Sequence, residues 1–291
     1  LKGNINMRNL VLILVVVVIV SFTISGTYFY LTMATAGDFV NFEVGVERII
    51  DEEKTFDVES TEEIYIDSTS TDVSIIPVDD NKIKVRLYGK FKANKNNKGA
   101  TLTANISNNK LNIQVKHKDN FIVGFYSGIE KLDVYIPKNY TNDITIKSSS
   151  ADVDVSNMSI NSLDFKTDSG NLLMESFSSK KTVIKTSSGD VEANGFNGDL
   201  NVDSSSGDVE IEYEEFNNNI DITSSSGDVT LKLPVASQFH LKAKTSSGDI
   251  MNKFPISVVG EIEDDFLEGY VGNSDSKIIV HTDSGNIIIN N

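Results

Sequence analysis

The sequence predicts an all-β, single-chain β-solenoid built from rungs of about 19 residues, and three observations predict it. A Ser-Gly-Asp turn recurs along the chain, apolar residues alternate on both sides of it, and a Ser or Thr stands three residues before its centre in all eight copies. The turns are Ser70-Thr71-Asp72, Ser150-Ala151-Asp152, Ser169-Gly170-Asn171, Ser188-Gly189-Asp190, Ser206-Gly207-Asp208, Ser226-Gly227-Asp228, Ser247-Gly248-Asp249 and Ser284-Gly285-Asn286. From Ala151 to Gly248 the central residues are 19, 19, 18, 20 and 21 apart; the first gap is 80 and the last 37. A period of this size is a rung length of a repeat architecture.

Each copy justifies two strands. Five residues before the centre stand Ile66, Ile146, Phe165, Ile184, Val202, Ile222, Ala243 and Val280, with a second apolar column two residues further back that Thr182 interrupts. After the centre, Val73, Val153, Leu172, Val191, Val209, Val229, Ile250 and Ile287 are followed two residues later by a further apolar column, broken by Asn252. Alternation of this kind marks strands with one buried face. The structural turn residues are Gly170, Gly189, Gly207, Gly227, Gly248 and Gly285, expected to supply a backbone angle that other residues avoid. The buried-parity Ser/Thr column is expected to form a ladder, each hydroxyl bonding its equivalent one rung away. One rung buries too little to fold alone, so the copies must stack on one another.

Before the regular array the elements are less repetitive. Ile83–Gly89, Leu111–Val115 and Leu132–Ile136 alternate and are separated by turn-rich basic segments. Residues 60–146 therefore read as an N-terminal β-meander or sandwich-like cap that opens with one rung motif. Residues 147–291 read as the solenoid repeats, with an irregular rung or inserted loop at 254–266 and the copy at 277–289 as a C-terminal cap strand pair.

At the N-terminus no residue between Asn9 and Gly37 is charged, and residues 10–31 are long enough to cross a bilayer. Lys2 and Arg8 precede this stretch and Asp38, Glu43 and Glu47 follow it, which puts the N-terminus in the cytoplasm and the bulk outside. Residues 1–36 are accordingly read as a transmembrane anchor, and 37–59 as a juxtamembrane linker running into the first strands. The rival is a signal peptide cleaved after Ala36, since Ala34-Thr35-Ala36 has the small-x-small form. Met7 is a candidate start.

Charge and composition exclude several functions. Lys2 and Arg8 apart, the chain carries 24 basic against 42 acidic side chains, the wrong sign for nucleic acid. No Cys is present, which removes disulfides, thiolate metal sites and cysteine nucleophiles. His117, His240 and His281 lie far apart in sequence with no companion at ligand spacing, and Asp79-Asp80 and Asp264-Asp265 are adjacent pairs that point apart on a strand. Nothing converges into a catalytic set or a cofactor site, so the chain reads as no enzyme and as binding no cofactor. A weak calcium site is the one metal expectation: Asp190, Asp208, Asp228 and Asp249, on successive rungs about 4.8 Å apart, offer oxygen ligands that a divalent cation would bridge.

Residues from about Ile64 to Ile289 resemble the bacterial putative-adhesin family, LiaG-like envelope proteins filed as a domain of unknown function. The resemblance is carried by Ile64-x-Ile66, Asp72-Val73-x-Ile75-x-Pro77, Ile83-Lys-Val85, Leu132-x-Val134-x-Ile136-Pro137, the Ser-Ser-Gly-Asp-Val turns and the closing His281-Thr-Asp-Ser-Gly-Asn-Ile287. It implies a β-solenoid, commonly membrane-anchored, with an envelope role and no catalytic residues to carry over. The expected function is thus a non-enzymatic cell-envelope surface protein, a structural or binding module displayed outside the membrane toward an envelope or surface ligand. The alternatives are a membrane-tethered regulator of envelope-stress signalling, working through a membrane signalling protein, and a β-helix enzyme acting on polysaccharide.

Overall fold

The computed structural model describes residues 46–93, 99–117, 126–260 and 263–291. Among them are twenty-two strands, a 3-10 turn at Val58–Ser60 and no helix long and apolar enough to cross a membrane. The expected anchor at 10–31 and the cleavage site at Ala36 lie outside the described residues.

The strands build two sheets around one apolar core. Each rung contributes a strand to sheet II, turns at the Gly-Asp corner, contributes a strand to sheet I, and turns again at a second corner. Ser159–Thr167 of sheet II, for example, leads through Gly170 into Leu172–Glu175 of sheet I, then into Ser178–Thr186 of sheet II. Neighbouring rungs pair in parallel with equivalent residues opposite: Ile146, Phe165, Ile184, Val202 and Ile222 form one column, and Val153, Leu172, Val191, Val209 and Val229 another. All ten are buried in the single core cluster. Thr182, which interrupts its apolar column, is also buried, and its hydroxyl meets that of Ser179 at 2.7 Å.

The N-terminal region belongs to the same two sheets. The first copy, Glu63–Ser68 with Asp72–Val78, pairs directly with the second, Asp143–Ser148 with Val153–Ser156, although 80 residues separate their turns. The intervening chain loops to the other side of the first copy. There Lys110–His117 and Tyr126–Pro137 extend the sheets in parallel, and Ala100–Ser107 and Lys82–Ala93 close them antiparallel. Val46–Asp57, expected within the linker, is an edge strand paired with Lys82–Ala93. Asp51, Glu52, Glu53 and Lys54 charge that edge, which discourages pairing with another chain's strand.

At the far end the order of rungs departs from the order of sequence. The last copy, Lys277–Ser284 with Ile287–Asn290, is not a cap. It lies between the rung of Ile220–Ser226 and Val229–Lys232 and the rung of Phe239–Ser247 and Ile250–Asn252. The terminal rung is therefore the seventh copy, and the segment between the two closes sheet II through Phe266–Val271 and Ser257–Val258, both antiparallel. The copy placed inside is the better apolar one, with Ile278, Val280, Ile287 and Ile289 buried. The copy placed outside carries Ala243 and Asn252, the weak positions of the repeat.

Candidate functional site

The residues most repeated in the sequence are those of the Gly-Asp corner, and three sets of contacts account for them. A Cβ at Gly189 would overlap the carbonyl of Gly170, one at Gly207 that of Gly189, and the same holds for Gly170 on Ala151, Gly227 on Gly207, Gly285 on Gly227 and Gly248 on Gly285. Close approach of the rungs is therefore the reason for glycine throughout; the unusual backbone angle expected from sequence occurs in the last three corners only, as at Gly227 with φ 153°.

The second set is a ladder of side-chain carbonyl and carboxylate oxygens. Oδ1 of each corner Asp or Asn accepts the backbone N–H of the equivalent residue in the next rung, running Asp72, Asp152, Asn171, Asp190, Asp208, Asp228, Asn286, Asp249 with N···O distances of 2.7–3.2 Å. Asp228 and Asp249 are thus not on successive rungs, because Asn286 separates them. All four candidate calcium residues are exposed, and Asp190, Asp208 and Asp228 each already hold an N–H. Among the described residues no group of three or more His, Asp or Glu is arranged to hold a metal ion.

The third set involves the Ser/Thr column, which does not form the expected rung-to-rung ladder. Ser148, Thr186 and Ser204 each donate to the carbonyl, and accept from the N–H, of the corner three residues on. Ser68 donates to the Thr71 carbonyl and Thr167 accepts from the Gly170 N–H. Only the Thr245 hydroxyl reaches a neighbouring rung, at the Gly285 carbonyl.

A second corner escaped the sequence reading. It opens with Asn157, Ser176 and Gly195 at φ 54°, 48° and 66°, and each is followed by a large buried side chain: Met158, Phe177, Phe196. From Phe177 a row of aromatic rings runs through Phe196, Tyr213, Phe216 and Phe239 to Phe254, with successive ring centroids 5.1–6.2 Å apart and every contact after the first edge-to-face. The Tyr213 hydroxyl donates to the Gly198 carbonyl at 3.0 Å, and burial pushes its pKa well above the usual value. The signal was available as a hydrophobe seven residues after each of three successive turn centres.

Each histidine has a carboxylate neighbour, and for His117 and His240 it lies on another strand. His117 Nε2 lies 2.7 Å from buried Glu130, whose carboxylate also accepts the Ala100 N–H. His240 stacks on Tyr270 and meets Glu268 at 3.2 Å without hydrogen-bond geometry, and His281 lies 3.4 Å from Asp283. On the outer face of sheet I, buried Asp133 accepts the hydroxyls of Tyr135 and Tyr88, both pushed upward in pKa by burial and by that carboxylate. Beside them Arg86 forks onto Asp51 at 2.8 and 3.1 Å, a bond that holds the Asp51 carboxyl below its ordinary value.

The outer face of sheet II offers space for a ligand. Asp143, Ser162, Lys181, Asp199, Asn219 and Lys277 form one row across six rungs. A shallow cleft of about 630 Å³ between Asp143, Asn161, Ser178 and Lys180 opens on this row, and a second of about 600 Å³ between Lys181, Asp199, Asn201 and Lys277. The first is lined chiefly by amides, hydroxyls and charges; the second mixes amides and charges with the apolar surface of Leu200, Ile220 and Ile279.

A family profile described as Toastrack DUF4097 matches residues 61–157 and 141–290, most of the chain. The chain belongs to the Toastrack family. No curated protein matches it. Among solved structures the Toastrack chain is similar to a putative adhesin from Bacteroides fragilis NCTC 9343, at 15% identity and TM-score 0.44, covering 84% of this chain and 97% of that one. It is similar to a putative cell adhesion protein from Clostridium sporogenes ATCC 15579, at 14% identity and TM-score 0.38, covering 84% and 99%. A putative lipid binding protein from Parabacteroides distasonis ATCC 8503 is similar at 13% identity and TM-score 0.39, covering 82% and 96%. The family match agrees with the resemblance drawn from the sequence.

Proposed function

We propose that this Toastrack chain is a non-enzymatic binding module of the cell envelope, tethered through residues 10–31 with its N-terminus in the cytoplasm and its two-sheet stack outside. The observation that carries the reading is the use made of the repeated polar residues. The corner Asp and Asn oxygens bind backbone N–H groups, and most of the Ser/Thr hydroxyls bind their own corners. The residues that would suggest acid or nucleophile chemistry in sequence thus join successive rungs or brace their own corners. The row on sheet II, with its two clefts, is the surface assigned to a ligand, and its amides, hydroxyls and charges suit hydrogen bonding to a polar polymer.

Cells displaying the wild-type chain are expected to bind envelope polysaccharide more strongly than cells displaying Asn161→Ala/Asn201→Ala, without degrading it. Equal binding by the variant moves the site off sheet II, and turnover of the bound polymer contradicts a non-enzymatic role. Protease added to intact cells should remove the mass beyond residue 37, and the chain should resist carbonate extraction. A soluble form beginning at Gly37 would instead establish cleavage after Ala36.

A further inference from the structure

The nested last copy divides what sequence order would keep together. Phe266–Val271 and Lys277–Ser284 are joined by five residues, 272–276, the length of an ordinary hairpin loop. They do not pair with each other. Phe239–Ser247 lies between them, antiparallel to the first and parallel to the second. The last copy consequently fills a slot, with the rung of residues 220–232 on one side and the rung of residues 239–252 on the other.

The backbone ladders on both sides of the slot are complete, but two hydroxyls at it are not paired. In most earlier rungs the Ser/Thr hydroxyl bonds its own corner, but the Gly285 carbonyl, which Thr282 would reach, takes the Thr245 hydroxyl instead. Thr282 and its neighbour across the slot, Ser224, are both buried with no hydrogen-bond partner. A buried hydroxyl left unpaired weakens the contact that buries it. The recognition elements nevertheless belong to the repeat: Gly285 seats on the Gly227 carbonyl, Asn286 donates its N–H to Asp228 Oδ1, and Asp249 donates to Asn286 Oδ1. Any copy of residues 277–290 presents these elements identically.

We infer that the slot accepts the 277–290 copy of a second chain, so that two molecules join by exchanging this copy. The exchange needs no new contact, because each slot refills with the same side chains. It needs only the 272–276 connection to open away from Phe239–Ser247, with Gly272, at φ 69°, as the pivot. Exchange of an identical element is a low-cost route to association.

The absence of cysteine makes the test direct. Thr223 and His281 face each other across the slot on its outer side, and in a stack following sequence order Thr223 would instead face Lys244. Full chains carrying Thr223→Cys alone and His281→Cys alone are refolded together in detergent and oxidised with glutathione disulfide. A cross-linked species of twice the chain mass is expected, and none from a control mixture of Thr223→Cys with Lys166→Cys. A Thr223–His281 link that forms only when both substitutions share one chain overturns the proposal. So does an efficient link within the double variant Thr223→Cys/Lys244→Cys, which would show the stack to follow sequence order.

Discussion

The two corners of each rung solve the same problem by different means. At the Gly-Asp corner the backbones of successive rungs come so close that a Cβ has no room, and a polar oxygen binds the next N–H. At the second corner the turn residue has space around it and large side chains fill the bend: a Cβ at Gly195 would meet nothing nearer than 3.6 Å, and Asn157 and Ser176 occupy the equivalent places. A corner closed by backbone contact dictates residue identity. One closed by apolar volume dictates only size.

Substitutions should separate the two. The largest loss at the second corner is expected from Phe196→Ala, which empties a fully buried site between Phe177 and Tyr213 and should cost about 3–5 kcal/mol in denaturant unfolding. Phe196→Leu should cost roughly 1.5 kcal/mol or less if volume is what the corner requires. At the first corner Asp208→Ala removes the acceptor of the Asp228 N–H and should cost about 1 kcal/mol. Asp208→Asn should be near neutral, because Asn171 and Asn286 already do the same work. A large loss in Asp208→Asn would show that charge, not the oxygen position, matters there.

The same contrast explains what the sequence disclosed. The first corner, the alternation and the parallel stacking follow from residue identities at fixed spacing, and the predicted apolar columns are buried except at Ile250 of the terminal rung, which is only partly buried. The second corner was harder to read because Met158, Phe177, Phe196 and Tyr213 share bulk rather than one identity, and Tyr213 stands six residues after its turn centre instead of seven. The nested order was hidden for the opposite reason. Copies that share one register are interchangeable as neighbours, and Ala243 and Asn252 are the only marks of the copy that ends the stack. The carboxylate partners of His117 and His240 lie on other strands, 13 and 28 residues away.

Two smaller effects concern charge beside the first corner. Asp154 has its pKa raised by partial burial and by the neighbouring Asp152 and Asp72. A carboxyl raised on folding opposes stability above its folded pKa, and that opposition fades as pH falls through it. Asp154→Asn should therefore raise Tm at neutral pH, with the gain disappearing in acid. The smallest expected effect is that of calcium. Corner oxygens already accept N–H groups and Asn286 interrupts the column, so thermal melts with calcium and with chelator at matched ionic strength should nearly coincide. A calcium-specific rise would give Asp190, Asp208 and Asp228 a metal role.

The central claim is that rung-to-rung backbone contact, not turn conformation, fixes the repeated glycine. Thermal and denaturant unfolding of Gly189→Ala beside Gly195→Ala tests it directly, because Gly195 has the left-handed φ of 66° and free space, whereas Gly189 has no such φ and no space. Gly189→Ala is expected to lose about 3 kcal/mol or more through overlap with the Gly170 carbonyl. Gly195→Ala is expected to lose only about 1 kcal/mol, the strain of a left-handed alanine. Equal losses, or a larger loss at Gly195, would contradict the account.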